Sequence, residues 1–119
     1  MTVIECYEKI GGDYENAMSR FKNEALIKRF LPMFLSDPSF NELTAALEKG
    51  NAVTAFRAAH TLKGVTANLS LAKLNSVSVE ITEILRAEEL LRAKEYFPNV
   101  KEAYDTAFKA IEQLIHETP

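Results

Sequence analysis

The chain has 119 residues, of which 47% are hydrophobic and 26% are charged, and its formal net charge is −3. This length and composition suit a single domain that buries an ordinary hydrophobic core. The one cysteine, Cys6, cannot form an internal disulfide bond, so we interpret it as a small apolar residue in a reducing compartment. Acidic and basic residues are interspersed without a basic stripe, which argues against a dedicated nucleic-acid binder.

The N-terminal segment gives no sign of membrane targeting. Met1-Thr2-Val3-Ile4-Glu5 has an acidic residue where a signal peptide would have a basic segment followed by an apolar run. No stretch approaches the ~18 uninterrupted apolar residues that a membrane-spanning helix needs. We therefore expect a soluble, cytoplasmic protein without a membrane anchor.

The first third of the chain is predicted to form short helices. Thr2 can cap a helix that ends at Gly11-Gly12-Asp13, where the aspartate is the next N-cap. Asn23 can cap a third segment with a strong apolar stripe. Pro32 should kink this segment, and Ser36-Asp37-Pro38-Ser39 should interrupt it.

Two helices are predicted in the middle of the chain. The first stops at Gly50, where a glycine follows the last apolar position of the stripe Phe40, Leu43, Ala46 and Leu47. Asn51 can cap the second, which runs from about Ala52 to Leu69.

Two further helices complete the predicted fold. Ser70 is expected to cap the next one, and although Ser76–Thr82 alternates like a β-strand, it lies within a longer helical stripe. Pro98 falls either in the first turn of the last helix or at a kink in it. Every predicted element is a helix, so we predict an all-α fold. The short connections favour antiparallel neighbours. Its expected architecture is an up-down antiparallel four-helix bundle with short additional N-terminal helices, in one domain spanning residues 1–119.

The helix from Ala52 to Leu69 has two contrasting faces. At about 100° per residue, its apolar residues gather on one side and His60 falls opposite them. The apolar stripe consists of Ala55, Ala58, Ala59, Leu62, Val65 and Leu69. The opposite surface, which we call the histidine face, consists of Val53, Phe56, Arg57, His60, Lys63, Gly64 and Ala67.

The histidine face combines a nucleophile with positive charge and open space. A neutral imidazole is a competent nucleophile near pH 7, because its ordinary pKa of about 6.5 leaves one nitrogen lone pair free. Lys63 can place an ammonium group near a phosphoryl group on the ring, and Arg57 adds charge to the same neighbourhood. Glycine within a helix costs about 1 kcal/mol relative to alanine, so Gly64 needs a reason. Its missing side chain gives a macromolecular partner room to reach the imidazole.

These residues resemble the histidine phosphotransfer (HPt) domain family, whose motif is His-x-Leu-Lys-Gly on a helix of a four-helix bundle. Here the motif reads His60-Thr61-Leu62-Lys63-Gly64, and the similarity continues through Phe56-Arg57-Ala58-Ala59 and Ala67-Asn68-Leu69. The entry Gly11-Gly12-Asp13 also looks like the family. One departure is Ser70, where the family usually has glycine; a serine that caps the next helix would be an acceptable substitute.

The resemblance implies a phosphoryl carrier in a two-component His-Asp phosphorelay. His60 would exchange a phosphoryl group with the aspartate of a response-regulator receiver domain, or receive it from a sensor histidine kinase. Lys63 would stabilise the phosphoryl charge, and Gly64 would admit the partner's aspartate. The chain itself would need no metal or other cofactor, because Mg²⁺ would lie on the receiver domain. No Gly-rich phosphate loop is present in the sequence, so we do not expect an autokinase. We also expect the carrier to be a monomer.

Some alternatives stay open at this point. A binding module that only sequesters a receiver domain and a structural helical adaptor could share this shape, although the intact His-Lys-Gly set favours a carrier. Val53 and Phe56 either form an apolar rim for a partner or lie buried under a neighbouring short helix, and Arg57 is either functional or merely solvated. His116 is interpreted as a surface residue, and two histidines with one cysteine give no metal-ligand spacing.

Overall fold

The computed structural model describes residues 1–117, which fold into seven α-helices and one 3₁₀ helix and contain no β-strand. The predicted all-α class is therefore confirmed. The predicted domain runs to Pro119, and residues 118–119 lie outside the described part of the chain. In chain order the elements are α1 (Val3–Ile10), α2 (Tyr14–Phe21), α3 (Glu24–Phe30), the 3₁₀ helix (Leu31–Ser36), α4 (Ser39–Lys49), α5 (Ala52–Asn68), α6 (Ala72–Arg86) and α7 (Leu90–Glu117).

Capping residues set most of the helix boundaries. Four predicted N-caps each accept a hydrogen bond from a backbone N–H of the first turn, namely Thr2, Asp13, Asn23 and Asn51. Gly11 and Gly50 end α1 and α4 with φ angles of 66° and 71°, a left-handed conformation that glycine adopts without steric cost. Because these residues satisfy groups that a helix end leaves free, they could be recognised in the sequence.

Helix α5 lies between α4 and α6, and α7 packs against α6, α4, α1 and the 3₁₀ helix. The predicted core stripe of α5 is largely correct: Ala55, Ala58, Ala59, Leu62 and Leu69 are buried, whereas Val65 is half-buried. The three alanines allow neighbouring helices to approach closely. The stripe thus packs one side of α5 into the core, and the histidine face lies on the opposite side of the helix.

Three hydroxyl-bearing residues also lie in the core, although the apolar stripes did not include them. Thr66, Ser78 and Thr82 are almost completely buried. Each hydroxyl donates to a backbone carbonyl four residues earlier in its own helix, at 2.9 Å, 2.7 Å and 2.6 Å respectively. Because the hydrogen bond is made locally, the usual penalty for burying a hydroxyl is offset.

The prediction that Ser70 caps α6 is wrong. Helix α6 begins at Ala72 after Leu71 and has no side-chain cap from any of residues 1–117, whereas Ser70 lies in the preceding turn with a φ of 56°. The Ser70 hydroxyl donates to Asn16 Oδ1 at 2.6 Å, and its carbonyl accepts from the Asp13 amide at 2.9 Å. The serine therefore takes the left-handed conformation that a glycine would adopt more easily, and contacts from the α1–α2 segment hold it there.

The structure shows where Pro32 and Pro98 lie in their helices and which conformation the alternating segment adopts. Pro32 lies at the start of the 3₁₀ helix, so the predicted kink is a change from α to 3₁₀ geometry after Phe30. Pro98 lies inside α7, well past its first turn. The alternating segment Ser76–Thr82 is helical throughout and belongs to α6.

Helix α1 contributes two titratable side chains to the core. Cys6 is fully buried, and burial raises the pKa of its thiol to about 11. Burial also raises the pKa of Tyr7, whose hydroxyl donates to the Leu69 carbonyl at 2.8 Å. Both groups stay neutral at physiological pH, and the interpretation of Cys6 as an apolar core residue is confirmed.

Candidate functional site

His60 lies near the middle of α5, on the face that points away from the core. Its side chain is exposed and forms no hydrogen bond with any residue of the described chain. Its ring contacts Phe56, one turn earlier, with 6.0 Å between ring centroids and 43° between ring planes. The imidazole is therefore held loosely at the surface, where a macromolecular partner can reach it.

Arg86, at the end of α6, reaches the same surface. Its guanidinium carbon lies 5.0 Å from the centre of the Phe56 ring, a cation–π distance, and its Nε pairs with Glu83 at 3.2 Å. Phe56, His60 and Arg86 line one shallow depression together with Arg57 and Thr61. Arg86 was not among the predicted site residues, because it lies on another helix and nothing in its local sequence points to His60.

Lys63 is half-buried, one turn after His60. Its backbone carbonyl accepts a hydrogen bond from Asn75 Nδ2 on α6 at 2.9 Å. Neither Lys63 nor Arg57 pairs with a carboxylate within residues 1–117. The positive charges of Lys63 and Arg57 are thus not neutralised within residues 1–117 and can attract an external anion.

Gly64 faces open space. Among residues 1–117, a Cβ atom placed on Gly64 would meet no atom within 4 Å outside its own stretch of helix, whereas one placed on Gly12 would lie 2.6 Å from Tyr7 Cδ2. Close helix packing therefore does not account for Gly64. Because glycine weakens a helix interior, the open backbone beside His60 calls for another explanation, and access for a partner supplies one.

The outer residues of the histidine face differ in exposure. Val53 is 62% exposed, and Phe56 is half-buried against Arg86 of α6. Burial of these two residues under a short helix, one of the alternatives from the sequence, is therefore wrong. Arg57 is exposed and Ala67 is half-buried.

Other parts of the described chain offer no competing site of the kinds considered. Within residues 1–117, no group of three or more His, Cys, Asp or Glu side chains is arranged to hold a metal ion. No helix in that range is long and apolar enough to cross a membrane. His116 is exposed near the end of α7, as expected for a surface residue.

The described chain is thus all-α and carries an exposed histidine in mid-helix, beside a lysine and an arginine that pair with no carboxylate within residues 1–117. A family model described as the Hpt domain matches residues 34–117, from the second half of the 3₁₀ helix through α7. This match covers more than half of the chain, which therefore belongs to the Hpt domain family. Searches of curated proteins and of solved structures returned no match.

Family membership assigns the chain to histidine-containing phosphotransfer in a phosphorelay. Hpt domains are phosphocarriers and not kinases, and they interact with receiver domains and kinases of two-component systems. The matched segment contains the whole histidine face, whereas α1–α3 lie outside it.

Proposed function

We propose that this protein is a cytoplasmic, monomeric phosphoryl carrier that accepts a phosphoryl group on His60 and exchanges it with the aspartate of a response-regulator receiver domain. A sensor histidine kinase is the other donor that fits this chemistry. The observation that carries the proposal is the exposed imidazole of His60, free of hydrogen bonds within the described chain and adjacent to the open backbone at Gly64.

The transfer is a direct displacement. A lone pair on an imidazole nitrogen attacks the phosphorus of the aspartyl phosphate, and a new N–P bond forms. The P–O bond to the aspartate breaks, and its electron pair leaves with the free carboxylate. The ring then releases its remaining N–H proton to solvent. The reverse sequence returns the phosphoryl group to a receiver.

Positive side chains on the histidine face would stabilise the transferred charge. Lys63 lies one turn from His60, and Arg57 and Arg86 line the same depression as the imidazole. Each is at least partly exposed, so its individual contribution is modest. The acidic pocket and Mg²⁺ are assigned to the receiver domain, and this chain is proposed to need no cofactor.

The frame behind the site is proposed to be the up-down antiparallel four-helix bundle formed by α4–α7. Contacts join α4 to α5, α5 to α6, α6 to α7 and α7 back to α4, which supports a bundle of four helices around one core. Their connections are only a few residues long, which favours antiparallel neighbours. Val53, Phe56 and Ala67 would provide the apolar part of the docking surface around His60.

The test is transfer of labelled phosphate from phosphorylated candidate receivers to the parent protein, His60→Gln and His116→Gln. The parent and His116→Gln should acquire label that is stable to alkali and labile to acid, as phosphohistidine is. His60→Gln should acquire no label. Its free energy of unfolding, from thermal melts, should stay within about 0.5 kcal/mol of the parent value, because the side chain is exposed. Label retained by folded His60→Gln would place the acceptor elsewhere and end the proposal.

A further inference from the structure

A polar contact between α5 and α6 lies directly behind the site. The Asn75 side-chain amide on α6 donates to the Lys63 carbonyl at 2.9 Å and to Thr66 Oγ1 at 3.1 Å. The Thr66 hydroxyl in turn lies within hydrogen-bond distance of the Leu62 and Lys63 carbonyls, at 2.9 Å and 3.0 Å. Within residues 1–117, Asn75 makes the only side-chain hydrogen bonds that link these two helices.

This contact is made beside Gly64, the residue of α5 with the lowest helix propensity. Gly64 immediately follows Lys63, and an interior glycine loses more backbone entropy on folding than any other residue. No side chain of the described residues covers the backbone at Gly64, so water can compete for the helical hydrogen bonds. An additional bond from a second helix to the Lys63 carbonyl opposes this local opening, and partial burial of Asn75 shields that bond from solvent.

The same turn carries the reacting group and its neighbouring charge. Opening at Gly64 would change the orientation of His60, one turn before it, relative to Lys63. In-line attack on phosphorus requires close alignment of the imidazole with the partner's aspartyl phosphate. A residue that restrains the Lys63 carbonyl therefore also restrains the geometry of the reaction.

We propose that Asn75 is a positioning residue for phosphotransfer, which holds the α5 turn bearing His60, Lys63 and Gly64 in its reactive geometry through the Lys63 carbonyl. It compensates for the flexibility that an open Gly64 introduces. This inference rests on the proposed function of His60, but its structural part can be tested without any transfer reaction.

The first experiment is amide hydrogen exchange on unphosphorylated protein. In Asn75→Ala, the amides of Gly64 and Ala67 should exchange about two- to tenfold faster, as expected for loss of one partly buried hydrogen bond. Asn75→Asp, which keeps the shape but lacks the N–H donors, should behave similarly. Ser76→Ala is the matched control, because Ser76 is the exposed neighbour on α6 and its side chain forms no hydrogen bond with any described residue.

A second substitution tests the link to glycine. Gly64→Ala in the Asn75→Ala background should return the exchange of these amides toward the parent rates, because alanine strengthens the helix at the same place. Unchanged exchange in both Asn75 variants would overturn the proposed restraint.

The second experiment measures single-turnover transfer from a phosphorylated receiver. Per folded molecule, Asn75→Ala should lower the maximal rate by about threefold or more, with the half-saturating receiver concentration within about twofold of the parent. Faster exchange with a parental maximal rate would show a purely structural role and overturn the positioning claim. If the parent itself accepts no phosphate, the proposed function fails and the positioning role with it, while exchange alone still decides whether Asn75 restrains the turn.

Discussion

Replacement of Gly64 should make the protein more stable and a poorer phosphotransfer partner. An alanine Cβ at this position meets no atom of the described chain within 4 Å beyond its own helix, so the substitution introduces no strain. Removal of an interior helical glycine should then stabilise the fold by up to about 1 kcal/mol, mainly through the lower entropy of the unfolded chain. With an unfolding entropy of about 2.1 cal/mol/K per residue, a chain of 119 residues should gain about 4 °C in Tm.

Transfer should change in the opposite direction. Gly64→Ala should slow transfer mildly, whereas Gly64→Leu or Gly64→Glu should slow it by a factor of about 100, because a long side chain would occupy the approach to His60. Leucine and glutamate both favour helix, so the two bulky variants should still melt at or above the parent temperature.

Thermal melts and single-turnover transfer on the same three variants test this reasoning. A packing role for Gly64 would have destabilisation increase with side-chain volume, together with normal transfer in the fraction that remains folded. That combination would refute the idea that Gly64 provides access to His60.

Two further substitutions probe the surroundings of the site, and a third probes the packing between α1 and α2. Lys63→Ala should slow transfer or shorten the lifetime of phosphohistidine without abolishing acceptance, since one partly exposed ammonium stabilises the phosphoryl charge only in part. If the variant has the parent's transfer rate and the parent's phosphohistidine lifetime, Lys63 does not have this role. Arg86→Ala should raise the half-saturating receiver concentration by about two- to fivefold at low salt and by less at high salt. Its free energy of unfolding should change by less than about 1 kcal/mol, because the lost contact with Phe56 is a single cation–π interaction. A binding effect that does not depend on salt would argue against a charge contribution. Gly12→Ala should destabilise the fold by about 1–3 kcal/mol in urea titration, because its Cβ would lie 2.6 Å from the buried Tyr7 ring; an unchanged midpoint would mean that the ring can move aside at little cost.

Much of the helical framework was predictable because local chemistry determines it. Asn51 and Gly50 mark a helix start and a helix end through their own backbone and side-chain preferences. The burial of Thr66 was not predictable from hydropathy, because threonine is polar in the sequence and looks like a surface residue. Its hydroxyl can be buried because it donates to a carbonyl of its own helix. The conformation of Ser70 was missed for a different reason, since its hydrogen-bond partner Asn16 lies far away in the sequence.

The candidate site divides in the same way. His60, Lys63 and Gly64 could be placed on one face, because 3.6 residues per turn brings i, i+3 and i+4 together. Arg86 and Asn75 reach that face from α6, and the choice of neighbouring helix is a tertiary property that periodicity within α5 does not contain. The candidate acceptor His60 could therefore be placed from the sequence, whereas the residues that approach it from a second helix could not.

The attachment of the α5–α6 turn to the N-terminal helices has a consequence for the order of folding. The hydrogen bonds Tyr7 to Leu69 and Ser70 to Asn16 join residues 62 and 54 positions apart in the chain. Such distant pairings require closure of a long loop and tend to form late, whereas α5 and α6 are sequence neighbours that can pair early. The left-handed Ser70 should therefore reach its final conformation only when α1 and α2 dock. Assembly of the N-terminal helices would then be the step that locks the end of the histidine-bearing helix in place.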